Sequence, residues 1–146
     1  MVWSWGDWKG VTALNEATYA RLTAPFADTY ERKGFTYIKG SQVASRLNDV
    51  LGVTGWSFVV KEHGYSQQAD SYWVLGQITA RIDGSDVVRE QFGSQALNRF
   101  RAAAPGQSGK IVDVGNDMKG AATDAFKKCA AQLGVGLYLA GPTHED

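Results

Sequence analysis

Three lysines and an aspartate occupy the polar face of the most regular stretch of the chain, KGAATDAFKKCAAQLGVGLYL, which begins at Lys119. At 100° per residue, Lys119, Thr123 and Lys127 form one i, i+4 row. Asp124 and Lys128 form the adjacent row. Ammonium groups spaced about 6 Å apart on a rigid helix suit the phosphate repeat of a single nucleic-acid strand. The common alternative is a solvated surface with one weak Asp–Lys pair, and periodicity leaves both interpretations open.

The opposite face of this stretch is apolar at unbroken helical spacing. The sequence therefore predicts a long C-terminal helix that begins near Asn116 or Asp117, either of which can cap it, and ends at Gly134. Its alanines allow the helix to lie close to its neighbour. The apolar positions are Met118, Ala121, Ala122, Ala125, Phe126, Cys129, Ala130 and Leu133.

Upstream, the apolar period changes from near 3.6 to 2. WSFVVKEHGY, SYWVLGQITARI and DVVREQFGS are rich in β-branched and aromatic residues and predict three antiparallel strands. The second and third meet at Asp83 and Gly84, a type I′ hairpin signal because both central positions need positive φ. Alternation along the middle strand predicts one buried and one wet face. The buried face holds Tyr72, Val74, Ile78, Ala80 and Ile82, and the wet face holds Trp73, Gln77, Thr79 and Arg81.

Shorter elements precede these strands. NEATYARLTAPF predicts a helix capped by Asn15 or Thr18 and ended by Pro25, and FTYI predicts a short extended segment. GSQVASRLNDVLG predicts a second helix with Ser41 as N-cap and Gly52 at its end. The order predicts an α+β domain: an antiparallel β-meander of three main strands plus a short one, packed against a long C-terminal helix, with additional short helices.

Length and composition favour one cytoplasmic domain. A chain of 146 residues that is 44% hydrophobic can form one compact core. Fifteen basic residues balance fifteen acidic ones, so any nucleic-acid function must come from local clustering. No segment has a secretory cleavage pattern or the ~20 apolar residues that span a bilayer, and one cysteine fits a reducing compartment. Trp3, Trp5 and Trp8 favour packing over base stacking.

The chain shows no arrangement typical of enzymes. Cys129 falls on the apolar stripe, where a thiol is usually inert, so a dyad with His63 is disfavoured; His144 lies in a polar tail. GVTG and GVG lack the lysine and Ser/Thr of a phosphate loop. One cysteine cannot build a multi-thiolate metal site. We expect no enzyme activity, no cofactor and no metal.

Three stretches, in order, resemble the single-strand-annealing domain of the Rad52 family of recombination proteins. They are YIKGSQVASRLNDVLGVTGWSF, a sheet with DG and EQFG, and KGAATDAFKKCAAQLGVGLYL. The resemblance covers residues 15–140, and the Thr-Asp-Ala-x-Lys-Lys block with Leu-Gly-x-Gly-x-Tyr-Leu is its specific part. RLTAPF and DVGND are more similar to the bacterial and phage branch, which includes DNA damage response protein A.

The resemblance implies a single DNA-binding and oligomerisation domain over residues 1–146, with a Trp-rich segment at 1–14 and a polar tail at 141–146. The meander and last helix would frame a basic groove, and subunits would form a homo-oligomeric ring. The implied activity is non-enzymatic: binding single-stranded DNA, and annealing strands or protecting ends in recombinational double-strand break repair. Other recombination proteins would be further partners, and the protein would be nucleoid-associated when bound to DNA.

The resemblance also assigns residues on the last helix. Lys127 and Lys128 match the basic pair that contacts the DNA backbone, and Lys119 matches a further basic groove position. Asp124, with Thr123 beside it, matches an acidic residue that orients its basic neighbours, because a bare carboxylate would repel phosphate.

Outside this helix the match is less regular. Tyr37 matches an aromatic near the groove, and Arg32 corresponds, at a shorter spacing, to an arginine before the first strand. The family often has another arginine one turn after the basic pair, where this chain has Ala131 and Gln132. NRFRAAAPGQSGKIVDVGND predicts an exposed basic connection, which could compensate. Candidates for compensation are Arg81, Arg89, Arg99, Arg101 and Lys110.

A different class of function remains open from the residues alone. The chain could be a structural or protein–protein interaction α+β module without DNA binding, whose sheet edge recruits a partner. Its lysines would then serve only solubility. Binding to labelled oligonucleotides separates the two classes.

Overall fold

A computed structural model describes residues 16–103 and 105–140. The predicted cap at Asn15, the three N-terminal tryptophans and His144 lie outside the described residues. The predicted α+β class is confirmed. In chain order the elements are α1 (residues 16–23), β1 (Tyr30–Arg32), β2 (Phe35–Tyr37), α2 (Gly40–Leu51), β3 (Trp56–Ser66), β4 (Ser71–Ile82), β5 (Ser85–Ala96), α3 (Val114–Ala131) and a 3₁₀-helix (Leu137–Ala140).

Strands β3, β4 and β5 form a three-stranded antiparallel sheet in the order β3-β4-β5. Asp83 has φ 49° and Gly84 has φ 83°, which confirms the predicted hairpin turn. On β4, Val74, Ile78 and Ala80 are buried, as the alternation predicts, whereas Tyr72 and Ile82, near the two ends of the strand, are only half-buried.

The opposite face of β4 is less wet than predicted. Trp73, Gln77 and Thr79 are half-buried, and only Arg81 is exposed among the four predicted positions. The Trp73 ring lies 6.2 Å from the Phe92 ring on β5, centroid to centroid. β4 is the central strand, so side chains of β3 and β5 flank this face on both sides and partly cover it.

Two short strands pair where the sequence predicts only one. β1 and β2 form a separate antiparallel hairpin, with Tyr30 opposite Tyr37 and Arg32 opposite Phe35. Lys33 has φ 52° and Gly34 has φ 82°, so the hairpin closes through two left-handed residues.

Helix α2 begins before the predicted cap. Lys39 is the N-cap residue, and its backbone N–H donates to Gln42 Oε1 at 2.7 Å, so Ser41 lies inside the first turn. Gln42, at helix position N3, therefore accepts a hydrogen bond from the backbone N–H of the N-cap residue. The prediction of Ser41 as N-cap overlooked this glutamine. At the other end the prediction is confirmed: Gly52 has φ 83° and its N–H donates to Asn48 O at 2.9 Å.

The described chain forms two compact units. The first comprises the described residues up to Ser57, Ile78–Arg89 and those from Ala130. In this unit Arg46 of α2 holds the end of α1: its Nη1 donates to Ala24 O at 2.7 Å and to Leu22 O at 3.1 Å. Carbonyl groups at a helix C-terminus lack intrahelical partners, so a guanidinium suits them.

The second unit comprises Phe58–Gln77 and Glu90–Cys129. Its core places Val74 of β4 against Ala121 and Ala125 of α3, flanked by Phe58 and Tyr72. Gly93 of β5 touches the same helix, because a Cβ built there would lie 2.1 Å from the backbone nitrogen of Ala125. The alanines of α3 thus allow close approach, as expected.

The ends of α3 differ from the prediction. The helix begins at Val114, and Asp113 Oδ1 accepts the Asn116 N–H at 3.1 Å, so Asp113 is the capping residue. Asp117 is instead fully buried. Its carboxylate accepts hydrogen bonds from the backbone N–H of Asn98 at 3.2 Å and from the side-chain Nδ2 of Asn98 at 2.5 Å. The helix ends at Ala131, three residues before Gly134, whose φ of 101° lies in the following turn.

Within the described residues, no helix is long and apolar enough to cross a membrane.

Candidate nucleic-acid interface

Helix α3 carries the predicted lysine face. Lys119 and Lys128 are exposed, whereas Lys127, Thr123 and Asp124 are half-buried. Six of the eight predicted apolar-stripe positions are buried, Ala122 is half-buried and Met118 is 38% exposed. The helix therefore packs along its apolar stripe and presents basic side chains elsewhere.

The Asp124 carboxylate joins this face to strand β5. Its Oδ2 accepts the backbone N–H of Ser94 at 2.9 Å and lies 3.2 Å from Lys128 Nζ. The neighbouring Gly93 has no side chain, so β5 approaches α3 closely enough for the Ser94 N–H to reach the carboxylate. The position of Lys128 is thereby coupled to the strand.

A cavity of about 430 Å³ opens beside the start of the lysine face, within the second unit. At one wall, His63 Nδ1 shares a hydrogen bond with the Tyr72 hydroxyl, and the two rings stack with centroids 5.8 Å apart. The lining residues are Val60, His63, Tyr72, Val74, Met118, Lys119 and Ala122.

The sequence did not single out His63 and Tyr72 as candidate site residues, because His63 was considered only as a partner of Cys129. Cys129 is fully buried, and its thiol contacts Gly76 O at 3.5 Å. The available signal was the position of Tyr72, on the predicted inner face at the start of the middle strand.

The connection between β5 and α3 is tied down at Arg99. Its Nε and Nη2 donate to the two carboxylate oxygens of Asp70, each at 2.8 Å, and its Nη1 donates to Gly109 O at 2.7 Å. The Tyr65 hydroxyl also donates to Asp70, at 2.9 Å. The hydrogen bonds from Arg99 and Tyr65 lower the pKa of Asp70 to about 2, and the bond to Asp70 raises the pKa of Arg99.

Backbone pairing orders the same connection. Arg99 forms a bridge with Ile111, and the Phe100 N–H donates to Lys110 O at 2.9 Å. Arg101 and Lys110 are exposed, as the sequence predicts for this segment. The connection is therefore a loop braced by Arg99, with two further exposed basic residues, Arg101 and Lys110.

Comparison with known proteins gives the family. The model for the Rad52/22 family double-strand break repair protein matches residues 12–146. The chain belongs to this family. The match extends over every described element, and the expected membership is confirmed.

Other comparisons add no argument to the Rad52/22 family assignment. No curated protein sequence matches the chain significantly. Among solved structures, an LEH-like epoxide hydrolase from M. tuberculosis is 19% identical, with a TM-score of 0.30, and the match covers 84% of this chain and 86% of that chain. Similarity at this TM-score is too low to support a conclusion about fold or activity.

The remaining candidate residues of this Rad52/22 family member lie in the first unit. Arg32 is exposed on β1, and Tyr37 on β2 packs its ring 5.8 Å from that of Tyr30, between centroids. Arg81 pairs with Asp86 at 3.4 Å. Arg89 Nη1 donates to the carbonyl of the preceding residue at 2.9 Å. These four residues are thus separate from the unit that holds the lysine face.

Among the described residues, no group of three or more His, Cys, Asp or Glu side chains could hold a metal ion.

Proposed function

We propose that this Rad52/22 family protein binds single-stranded DNA and anneals strands, protects DNA ends, or does both, in recombinational double-strand break repair. The activity is non-enzymatic and needs no cofactor. The observation that carries the proposal is the lysine face of α3, on which the Asp124 carboxylate is held by Lys128 and by the Ser94 N–H.

The state of Asp124 supports a phosphate-binding face. A carboxylate beside phosphate groups repels them, but Asp124 has an ammonium group at 3.2 Å and a backbone donor at 2.9 Å. Its charge is therefore offset locally, and it acts as an organiser of the basic residues, with Thr123 beside it. Lys119, Lys127 and Lys128 bind successive phosphates as point charges in a basic groove between sheet and helix.

Additional basic residues widen the proposed contact. Arg101 and Lys110 are exposed on the braced connection and offer further phosphate contacts. Arg99, which already holds Asp70, positions this connection and contributes its positive charge. Arg32, Tyr37, Arg81 and Arg89 are proposed as additional DNA contacts.

Assembly into a homo-oligomeric ring completes the proposal. Among the described residues β3 and β5 are the outer strands of the three-stranded sheet, and the edge of a sheet can accept a neighbouring subunit. A head-to-tail contact closes into a ring when its rotation permits, which would make one groove continuous. The protein would act in the cytoplasm, associated with the nucleoid and with other recombination proteins.

A salt titration tests the function. Labelled single-stranded and duplex oligonucleotides of equal length are titrated at several salt concentrations. We expect tighter single-strand binding, little dependence on base order, and a logarithm of affinity that falls by about 0.7 per phosphate contacted for each unit of log salt. Absence of binding at low salt would reject DNA binding and favour the protein-interaction module.

A further inference from the structure

The cavity beside Lys119 combines three surfaces that one ligand type would use together. Val60, Val74 and Ala122 provide apolar walls, and Met118, which is 38% exposed, also lines the cavity. His63 and Tyr72 provide stacked rings inclined by only 24° to each other. A cation and an aromatic platform around an apolar space suit a planar ring attached to an anion.

An irregularity in β3 brings His63 into this cavity. Val60 lines it, whereas Lys61 pairs with Glu90, which also accepts from Gln77 on the outer face of the sheet. Simple alternation would place His63 on that outer face too. His63 lines the cavity instead, and a Cβ on the next residue, Gly64, would meet the outer-face Trp73 ring at 2.8 Å.

Val60 and His63 therefore share a face although they are three residues apart. An odd spacing on one face requires one extra residue in the strand, which is the signature of a β-bulge. Bulges re-aim side chains beside functional sites, and a bulge of this kind accounts for the contact of the His63 ring with Tyr72 at the cavity. The aromatic wall is thus a built feature of the strand.

Lys119 differs from Lys128 in its surroundings. Lys128 is paired with Asp124, whereas no acidic side chain of the described residues lies within ion-pair distance of Lys119. The alkyl stem of a lysine can line an apolar cavity while its ammonium group remains in water. Lys119 can therefore bind an anion at the mouth of the cavity.

We propose that this cavity takes one unpaired nucleobase of bound single-stranded DNA, stacked on the His63–Tyr72 pair, while Lys119 binds the adjacent phosphate. The inference rests on the proposed single-strand binding and adds a base-holding site to it. A cavity of about 430 Å³ falls in the size range of small-ligand sites and accommodates a purine or a pyrimidine. Every base has a π-face, so the site tolerates any sequence.

Holding a base in this way favours single strands over duplexes. A base in the cavity has left its stack and its partner, and a duplex must lose both interactions before it can bind in the same way. The same base is withheld from pairing until it leaves. The cavity would therefore set which positions of the bound strand are free to begin annealing.

The test compares two oligonucleotides of equal length and charge: an oligothymidine and a strand made entirely of abasic units. We expect wild-type protein to bind the oligothymidine at least about fivefold more tightly, with the same salt dependence for both. Ala122→Met fills the cavity. Its affinity for the oligothymidine should fall to the affinity that wild-type protein has for the abasic strand, and its affinity for the abasic strand should not change. His63→Ala removes the stacking surface and should reduce the preference.

Val59→Met provides the matched control, because it adds a methionine next to Val60 on the other face of β3 and should keep the preference. Circular dichroism confirms that each variant is folded. If wild-type protein binds the two strands with equal affinity, the base site is overturned but single-strand binding stands. The same conclusion follows if folded Ala122→Met keeps the full preference for the oligothymidine. Binding of neither strand overturns both proposals. A change in the oligomeric mass of DNA-free Ala122→Met would assign the cavity to a neighbouring copy and overturn the base site.

Discussion

Asp124 and Lys128 form an ion pair one helical turn apart on α3, and the Asp124 oxygen that contacts Lys128 also accepts the backbone N–H of Ser94. An i, i+4 pair at a surface contributes little by itself. The hydrogen bond from Ser94 makes the Asp124 carboxylate more important, because a hydrogen bond from a backbone donor to a carboxylate is stronger than one between neutral groups. The pair therefore couples the lysine face to β5.

Asp124→Ala should lower the free energy of unfolding by about 1–2 kcal/mol, because the Ser94 N–H loses its acceptor. Asp124→Asn should lower it less, since an amide oxygen can still accept that bond. Urea denaturation of both variants measures the difference. Asp124→Asn should nevertheless bind single-stranded DNA more weakly, although it gains positive net charge. Tighter binding would show that Asp124 repels the strand and does not organise the lysines.

Lys127→Ala combined with Lys128→Ala should weaken single-strand binding and reduce the slope of log affinity against log salt by about 1.4, since about two phosphate contacts are lost. The double variant should stay folded, because Lys128 is exposed and Lys127 is half-buried. Lys61→Ala is the charge control, on the outer face of the sheet. An unfolded double variant whose residual folded fraction binds normally would mean that these lysines support the fold instead.

The Asp70–Arg99 pair should make stability depend on acid. The hydrogen bonds from Arg99 and Tyr65 lower the pKa of Asp70 from 3.8 to about 2 in the folded protein. The ionised carboxylate therefore adds stability that is fully present above about pH 4 and is lost as the pH falls through about 2. Because both side chains are partly solvent-accessible, we expect a small effect.

Urea midpoints of wild type and Asp70→Asn, measured between pH 6 and pH 2, check this expectation. The difference between the two proteins should be constant at the upper end and shrink below about pH 4. Arg99→Gln should give the same pattern. A difference that stays constant down to pH 2 would show that the pair adds no stability.

Gly93→Ala should destabilise the second unit by about 1–3 kcal/mol or more, because the new methyl group would lie 2.1 Å from a backbone atom of Ala125. Backbone cannot move aside as a flexible side chain can. Gly115→Ala is the matched control: its nearest atom would lie 3.4 Å away, and alanine favours helix, so we expect unchanged or higher stability. Equal thermal midpoints for Gly93→Ala and wild type would contradict the close approach of β5 to α3.

The elements with a long, regular pattern were predictable. β4 runs from Ser71 to Ile82, as its β-branched residues and the Asp83-Gly84 turn indicate. The β1 strand was not predictable, because three residues are too few to show alternation and their pairing depends on left-handed backbone at Lys33. The start of α3 was misplaced because several adjacent residues can cap, and the backbone geometry that selects Asp113 is invisible in the sequence.

The candidate site was likewise predictable only in part. Spacing alone predicts the pairing of Asp124 with Lys128, since both lie on one helix. It cannot predict that Ser94 reaches Asp124, because that contact depends on how closely a separate strand approaches. The His63–Tyr72 wall was equally out of reach, because simple alternation along β3 places His63 and Val60 on opposite faces.

The buried thiol of Cys129 can report how readily helix α3 separates from strand β4. It is the one cysteine in the chain, it is fully buried, and its sulfur faces Gly76 O. A thiol reagent can reach it only when α3 separates from β4, so the labelling rate under native conditions measures the free energy of that local opening. Comparing the rate with and without DNA would show whether the bound strand fastens the helix to the sheet, with no probe introduced by mutation.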